Sequence, residues 1–256
     1  MKYLMKLSYV GTEFCGSQYQ PNVRTVQGVL NDAFTALFGV VCKVTSCSRT
    51  DSGVHATAAS LTVELPDKTT PIPAEKLPLA VARFLPRDVS VYDASIVEDS
   101  FHVRHDVVAK EYVYYLHNGK TQDPFLAGRA WFYPKALGEE AVAKMNKAAK
   151  HFLGTHDFAT FMAEGSPVAT TVRTLFALRV EKTGDKLTFV VQGDGFLYNM
   201  VRIIVGTLIE VGHGKILPED IPDIIASCDR TRAGMTAPPE GLYLARVFYS
   251  SEEVDN

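Results

Sequence analysis

The order of strand-like and helix-like segments constrains the fold of this chain more than any other feature of its sequence. Strand patterns, recognised by alternating apolar and polar residues, fall at residues 2–10, 43–48, 58–66, 88–97, 110–118, 172–183, 187–193 and 241–249. Helix patterns, recognised by apolar residues three and four apart, fall at residues 25–39, 73–86, 139–153, 197–212 and 219–227. The two kinds alternate without a regular βα repeat. This order predicts an α+β fold, with a mainly antiparallel sheet flanked by helices, and disfavours a doubly wound fold.

Two local signals in this order are especially clear. In "TVQGVLNDAFTALFG" the apolar positions follow a helical period, Thr25 is a suitable N-cap, and Gly39 is suited to end the helix. A Gly184–Asp185 pair between two later strand patterns predicts a tight hairpin turn.

The length of 256 residues allows one large domain or two of ordinary size, since domains run to about 100–200 residues. Both halves follow the order strand, glycine-containing loop, helix ending at glycine, and further strands, although no exact repeat is present. The stretch 119–138, which contains glycine and proline, is the predicted boundary. We therefore expect two similar halves, residues 1–118 and 119–256.

Composition and charge exclude several classes of protein. An apolar content of 46% and a charged content of 21% are typical of a globular protein. The longest nearly apolar run, "NMVRIIVGTLIEVG", is shorter than the roughly 18–20 residues of a membrane span and contains Arg202 and Glu210. Lys6 interrupts the first apolar stretch, which indicates a strand and not a signal peptide. The net charge of −3 argues against tight sequence-blind binding of nucleic acid. The four cysteines lack C-x-x-C spacing, so the sequence suggests neither a zinc knuckle nor a dithiol redox motif.

A charged triplet ending in Asp51 stands in "CSRTDSGVHATAAS", on the connection between two predicted strands. An aspartate followed by Ser52 and Gly53 is typical of a turn, because aspartate side chains bond nearby backbone N–H groups. Aspartic proteases also use a D-[ST]-G turn, in which two carboxylates share one proton. Here the apolar pair that normally precedes that motif is replaced by arginine and threonine, and the chain has no second D-[ST]-G. The residues alone favour the turn over the protease.

The longer string "SRTDSGVHA" closely resembles the [GS]-R-T-D-A-G-V-H-A signature of the tRNA pseudouridine synthase A (TruA-type) family. Further segments match this family in order along residues 3–249. They are "YVGTEFCGSQYQP", "FLPRDV", "SFHVRHDVVAKEYVYYLHN", "GTHDFATF", "VRTL", "GFLYNMVRIIVGTLIEVG" and "EGLYLARVFY". The chain is thus similar to the family over nearly its whole length.

The resemblance implies an isomerase that converts uridine to pseudouridine in the anticodon stem-loop of tRNA, at the family-typical tRNA positions 38–40. It implies a cytoplasmic homodimer that binds tRNA and needs no cofactor, metal or membrane. It also implies the pseudouridine synthase fold, in which a first half with the catalytic aspartate loop and a second half with an arginine helix surround a central cleft. The target base must be flipped out of its stack to reach such a cleft.

The resemblance assigns catalysis to Asp51, Arg202 and Tyr112. The Asp51 carboxylate attacks the ribose anomeric carbon or uracil C6, or takes a ribose proton on a glycal route, and the resemblance leaves these alternatives open. Arg202 is expected to pair with Asp51, because a desolvated carboxylate tends to protonate unless a cation offsets the loss of water. By pattern alone, an Arg202 on the solvent side of its helix fits equally well. Tyr112, on the same strand face as Tyr114, is expected to stack on the target base and to help move the C5 proton. By pattern alone, a tyrosine in a strand is more often a packing residue.

Five further residues are expected to contact RNA: Arg49, Thr50 and His55 from the signature, and His102 and Arg104 from "FHVRH". For Arg49 a loop salt bridge is the alternative. His102 and His105 are three residues apart, as in some metal pairs, but no third ligand is apparent and strand spacing would put them on opposite faces. Structural or RNA-contacting roles are therefore favoured for both.

Three positions depart from the family pattern. Val10 replaces an aspartate and Ser17 a tryptophan, in a loop that helps the family hold RNA, and Ala82 replaces an asparagine. All three lie outside the catalytic set and bear on the choice of tRNA target. Besides the tRNA uridine isomerase, a catalytically idle RNA-binding relative is the second hypothesis and the protease the third. The joint presence of the three catalytic residues argues against the second hypothesis, since a binder needs no such set.

Overall fold

The computed structural model of the chain describes residues 1–67, 69–165 and 168–254. The strands are β1 Lys2–Tyr9, β2 Lys43–Ser46, β3 His55–Glu64, β4 Val89–Val97, β5 Ala109–His117, β6 Trp131–Phe132, β7 Gly154–Asp157, β8 Val172–Thr183, β9 Lys186–Gly193 and β10 Leu242–Phe248. The α-helices are α1 Val26–Phe38, α2 Leu77–Ala82, α3 Glu139–Ala149, α4 Met200–Gly212 and α5 Ile221–Ala226. The predicted α+β class with a mainly antiparallel sheet is confirmed. Within the described ranges, no helix combines the length and apolarity needed to cross a bilayer.

Two compact units divide the chain. The first contains Met1–Val108 and the segment from Tyr243 onward, and the second contains Ala109–Leu242. These bounds differ from the predicted division after residue 118, because β5 pairs with β9 inside the second unit and most of β10 lies in the first. The functional roles assigned to the two halves stay predictions.

In the first unit, β1 lies between β3 and β4 and runs antiparallel to both. On the side away from β1, β3 pairs antiparallel with β2 and parallel with β10. In the pairing with β10, Tyr243 lies opposite His55. Alternate residues of β1 are buried: Tyr3, Met5, Leu7 and Tyr9. This period of two is the signature of a strand with one face in the core, and it confirms the first predicted strand.

The helix α1 forms as its sequence predicts. Thr25 Oγ1 accepts a hydrogen bond from the Gly28 N–H at 3.2 Å, which satisfies one of the unpaired donors of the first turn. Gly39 ends the helix with a φ of 69°, a conformation that glycine adopts without steric cost. In α2, Pro78 lies in the first turn, where its missing N–H breaks no helical hydrogen bond.

In the second unit, β9 lies between β5 and β8 and runs antiparallel to both, β7 pairs with β8, and β6 pairs parallel with β5. The Gly184–Asp185 turn joins β8 to β9, with Thr183 opposite Lys186, as the sequence predicts. Burial alternates along β5, which confirms that Tyr112 and Tyr114 share one face. The short strands β6 and β7, of two and four residues, were not predicted.

Helix α4 is buried on nearly all sides, and α3 packs against it and against β8. It begins at Met200 and not at the predicted residue 197. Asn199 adopts a left-handed φ of 60°, which is incompatible with continuing a right-handed helix toward the N-terminus. Arg202 therefore lies in the first turn of α4.

Candidate active site

Asp51 lies on the connection between β2 and β3, which we call the aspartate loop (residues 47–54). The Val54 N–H donates to the Asp51 carbonyl at 3.2 Å, and Gly53 has a φ of 80°, so the chain turns here as predicted. Asp51 is half-buried and Arg49 is exposed. The loop thus carries a half-buried aspartate two residues after an exposed arginine.

Residues 10–17, which we call the glycine loop, run along the aspartate loop and hydrogen-bond with it. The Phe14 carbonyl accepts from the Gly53 N–H at 3.3 Å and from the Ser52 hydroxyl at 3.1 Å. Both loops lie in the first unit. Contacts of this kind reduce the number of conformations open to the turn that carries Asp51.

Thr50, the residue before Asp51, is held by three hydrogen bonds and is 8% exposed. Its N–H donates to Ser17 Oγ at 2.7 Å, and its carbonyl accepts from the Ser17 N–H at 3.0 Å. Its hydroxyl lies 2.8 Å from the Tyr9 hydroxyl. The N–H, the carbonyl and the hydroxyl of Thr50 are all hydrogen-bonded within the protein. The RNA contact expected of Thr50 stays a prediction.

Two glycines allow the loops to approach this closely. A Cβ on Gly11 would lie within 2 Å of the Val54 carbonyl oxygen, inside the van der Waals limit. Gly16 has a φ of 85°, and a Cβ there would lie 2.9 Å from the Thr50 carbonyl oxygen. Glycine is required where backbones meet in this way.

His55, at the end of the aspartate loop, is fully buried. Its Nδ1 accepts the Gly11 N–H at 2.9 Å, so in the neutral imidazole the proton lies on Nε2. Its ring stacks on Tyr243, with centroids 4.5 Å apart. His55 therefore links the glycine loop, β3 and β10, and its predicted RNA contact stays a prediction.

Arg24 holds the glycine loop from its other side. Its guanidinium donates twice to the Asp88 carboxylate, at 2.8 Å each, and lies 4.0 Å from the centre of the Phe14 ring. The hydrogen bond from Arg24 lowers the pKa of Asp88, and the same bond raises the pKa of Arg24. The Val10 N–H donates to the Asp88 carbonyl. This backbone bond does not depend on the side chain by which Val10 departs from the family pattern.

His102 and Arg104 are exposed and belong to a turn that precedes β5. His102 Nδ1 accepts from the N–H groups of Arg104 and His105, and Arg104 Nη2 donates to the Ser46 carbonyl at 3.2 Å. The expectation that strand spacing separates His102 from His105 is wrong, because the turn brings their rings to 4.0 Å. In the described part of the chain no three metal-ligating side chains come together.

In the second unit, Tyr112 is 7% exposed on β5 and contacts the Phe196 ring edge-on at 5.0 Å. Tyr114 is fully buried and donates to the Pro238 carbonyl at 2.8 Å. Burial raises the pKa of Tyr114 most strongly, Glu240 raises it further, and Arg202 lowers it. The charge of Arg202 is therefore close enough to act on this face of β5.

Arg202 is half-buried, and its side chain is bonded on two sides. Its Nε donates to the Ala237 carbonyl at 2.7 Å and its Nη1 to Asn199 Oδ1 at 2.6 Å. These bonds orient the guanidinium and offset its desolvation. Asp51 and Arg202 belong to different units, so their predicted ion pair stays a prediction.

Sequence reasoning identified Ser17 only as a departure from the family pattern, did not single out Tyr9, and predicted neither residue's contact with Thr50. Each contacts Thr50 through a hydrogen bond between distant positions of the chain, which has no local sequence signal. Ala82 is exposed at the end of α2, and nothing in the described residues gives it a role.

The chain is similar to known proteins over nearly its whole length. A family model described as tRNA pseudouridine synthase matches residues 6–106 and 148–250. The chain is 45% identical over 246 residues to tRNA pseudouridine synthase A of Thermoanaerobacter sp. (strain X514), covering 96% of this chain and 98% of that one. It is 42% identical over 253 residues to the protein of the same name from Bacillus subtilis (strain 168), covering 98% and 100%. A chain in the crystal structure of a Cbf5–Nop10–Gar1 complex matches at 12% identity and a TM-score of 0.38, over 94% of this chain and 57% of that one.

Proposed function

This chain belongs to the tRNA pseudouridine synthase family, and we propose that it isomerises uridine in the anticodon stem-loop of tRNA with Asp51 as its catalytic carboxylate. The family match makes it an isomerase that forms pseudouridine in tRNA. One observation carries the role of Asp51: a half-buried carboxylate stands in the family signature, on a turn held by the glycine loop.

The reaction exchanges one bond at the sugar for another. The bond between N1 of uracil and the anomeric carbon breaks, the detached base turns, and a bond from C5 to the same carbon forms. The proton on C5 leaves and N1 takes up a proton, so the product is an isomer of uridine. A carboxylate can start this exchange by attacking the anomeric carbon or uracil C6, or by removing a ribose proton on a glycal route. All three routes need Asp51 ionised and fixed beside the ribose.

Arg202 is proposed to keep that carboxylate ionised. A nearby cation lowers the pKa of a carboxyl group, whereas loss of water alone raises it. Two observations in the second unit support this role: the guanidinium is already oriented by the Ala237 carbonyl and Asn199, and it is half-buried. Tyr112 is proposed to stack on the flipped base, since aromatic faces bind any base.

Binding of tRNA is proposed to use exposed side chains of the first unit. Arg49 and Arg104 are exposed and can form bidentate contacts with phosphate, and the exposed His102 ring can hydrogen-bond with RNA. With a net charge of −3, the chain relies on such local positive charge for its affinity. We further propose that two copies form a homodimer around tRNA, and that the enzyme acts in the cytoplasm, where tRNA is located.

Mapping of the product tests this function. Unmodified tRNA transcripts are incubated with the protein, treated with carbodiimide, and read by primer extension, which stops at pseudouridine. We expect stops within the anticodon stem-loop, at positions 38–40. Stops elsewhere would refute the proposed target, and no stops in any tRNA would favour the idle RNA-binding relative.

A further inference from the structure

We propose that Ser17 is a positioning residue for catalysis, because it orients the peptide that carries Asp51. The proposal rests on the proposed catalytic role of Asp51. Ser17 is hydrogen-bonded to Thr50 and acts on Asp51 through that residue. The tryptophan that the family pattern has at this position carries only a donor N–H in its side chain and could not accept the Thr50 N–H there.

Ser17 contacts Thr50 through two of its atoms, one in the side chain and one in the backbone. Ser17 Oγ accepts the Thr50 N–H at 2.7 Å, and the Ser17 N–H donates to the Thr50 carbonyl at 3.0 Å. That carbonyl belongs to the peptide bond joining Thr50 to Asp51, and peptide bonds are planar. The Ser17 N–H thus holds the peptide plane that leads into Asp51, while Ser17 Oγ holds the N–H of Thr50, and the two bonds together restrict the backbone that carries the Asp51 side chain.

Burial makes this contact hard to replace. Ser17 is 5% exposed and Thr50 is 8% exposed, so water has little access to the bonded groups. A buried N–H that loses its acceptor carries its full desolvation cost, and the loop is expected to shift to find another partner. Gly16, with a φ of 85°, holds the backbone in the close approach that lets Ser17 reach Thr50.

A second hydroxyl supports the same residue from β1. Tyr9 Oη lies 2.8 Å from Thr50 Oγ1, and Tyr9 is 6% exposed. Thr50 is thus bonded through its N–H, its carbonyl and its hydroxyl. A shift of about 1 Å in a reacting group is enough to lower a rate about 100-fold, so loosening this residue is expected to affect chemistry before binding.

The test compares S17A and S17T with a matched control. Asn146→Ala removes another side chain that accepts a backbone N–H, that of Val180 at 2.9 Å, on the α3–β8 contact. We expect S17A to lower kcat for tritium release from C5-labelled tRNA by about 10- to 100-fold, with KM changed by less than about threefold. S17T, which keeps the hydroxyl, should recover most of kcat, and Asn146→Ala should lower the unfolding temperature without lowering kcat.

Three results would overturn the proposal: an S17A kcat equal to that of the native enzyme, a rise in KM alone, or an equal loss of kcat in Asn146→Ala. Tyr9→Phe keeps the ring and removes the hydroxyl that bonds Thr50 Oγ1, so it tests the anchoring of Thr50 if S17A does not fold. Its kcat should fall, and an unchanged kcat would count against the proposal. Asp51→Asn separates a failure of the proposed function from a failure of the proposed role of Ser17. Activity in Asp51→Asn refutes the proposed function. An inactive Asp51→Asn together with a fully active S17A refutes only the role of Ser17.

Discussion

At the scale of single residues, Arg202 presents the central electrostatic question. An arginine in the first turn of an apolar helix must satisfy several N–H donors. Its Nε and Nη1 bond to the Ala237 carbonyl and to Asn199, which turns a flexible side chain into an oriented cation. An oriented cation serves a catalytic carboxylate without a further entropic cost at the moment of reaction.

Substitution of Arg202 is expected to separate charge from geometry. Arg202→Ala should lower kcat for pseudouridine formation by about 100-fold or more, because the carboxylate loses its stabilising charge. Arg202→Lys keeps the positive charge but lacks the planar guanidinium, so its kcat should lie between those of the native enzyme and Arg202→Ala. Tritium release measures the rates, and thermal unfolding checks that each variant is folded. A near-native kcat in Arg202→Ala would contradict the proposed pair.

Single-residue roles were only partly predictable from the sequence. Asp51 stands in a nine-residue signature, so the motif alone located it on a turn between strands. The contacts of Ser17 and Tyr9 with Thr50 carry no such signal, because these hydrogen bonds span 33 and 41 positions of the chain. His55 and Thr50 were predicted as RNA contacts, whereas their burial comes from packing that only the fold specifies.

At the scale of elements, the glycine loop connects three parts of the first unit: the aspartate loop, the segment before α1 and the start of β4. The Val10 N–H makes the last of these connections by donating to the Asp88 carbonyl. The Arg24–Asp88 pair joins the segment before α1 to the same residue, with side chains 39% and 25% exposed. Partial exposure limits what the pair contributes, and a bidentate pair in this setting is worth about 0.5–1 kcal/mol.

The pH dependence of stability tests that pair. Asp88 has its pKa lowered from an ordinary 3.8, mainly by the hydrogen bond from Arg24. A lowered folded-state pKa stabilises the fold above the ordinary value, and this stability is lost as pH falls through the lowered one. Asp88→Asn should therefore reduce the free energy of unfolding by about 0.5–1 kcal/mol at pH 7, with the difference shrinking toward zero near pH 2. Urea unfolding across this range measures it.

A control for that series is Asp93→Asn. Asp93 faces Lys6 at 3.8 Å, with side chains 57% and 51% exposed, so its removal should change stability very little. A pH-independent effect of Asp88→Asn, or an equal effect of Asp93→Asn, would contradict the assignment.

Elements were the most predictable level of this fold. Long periodic segments such as α1 and β8 appear where the sequence indicates them, with the Thr25 cap and the Gly39 end in place. The start of α4 was three residues off, because a left-handed Asn199 is not visible in the apolar pattern. The two-residue β6 is defined by pairing with β5 and has no period of its own.

At the scale of the whole molecule, the chain leaves its first unit at Ala109 and returns to it at Tyr243. The return is a non-local pairing of β10 with β3, reinforced by the stack of Tyr243 on His55. A sequence pattern identifies β10 as a strand but does not name its partner. This is why the predicted division after residue 118 differs from the compact units.

The proposed homodimer is a prediction at this scale. Light scattering coupled to gel filtration should give about twice the chain mass of 28.1 kDa for the native protein. The mass should stay the same in Asp51→Asn, since that residue is assigned to chemistry and not to assembly. A monomer mass at enzyme concentrations that sustain full activity would contradict the homodimer.

The most direct test of the central claim is tritium release from C5-labelled uridine in tRNA by Asp51→Asn under single-turnover conditions. The substitution keeps the size of the side chain and removes its charge, so the variant should bind tRNA with an affinity within about threefold of the native protein while release falls to background. Release at a rate close to that of the native enzyme would show that the carboxylate of Asp51 does not carry the reaction.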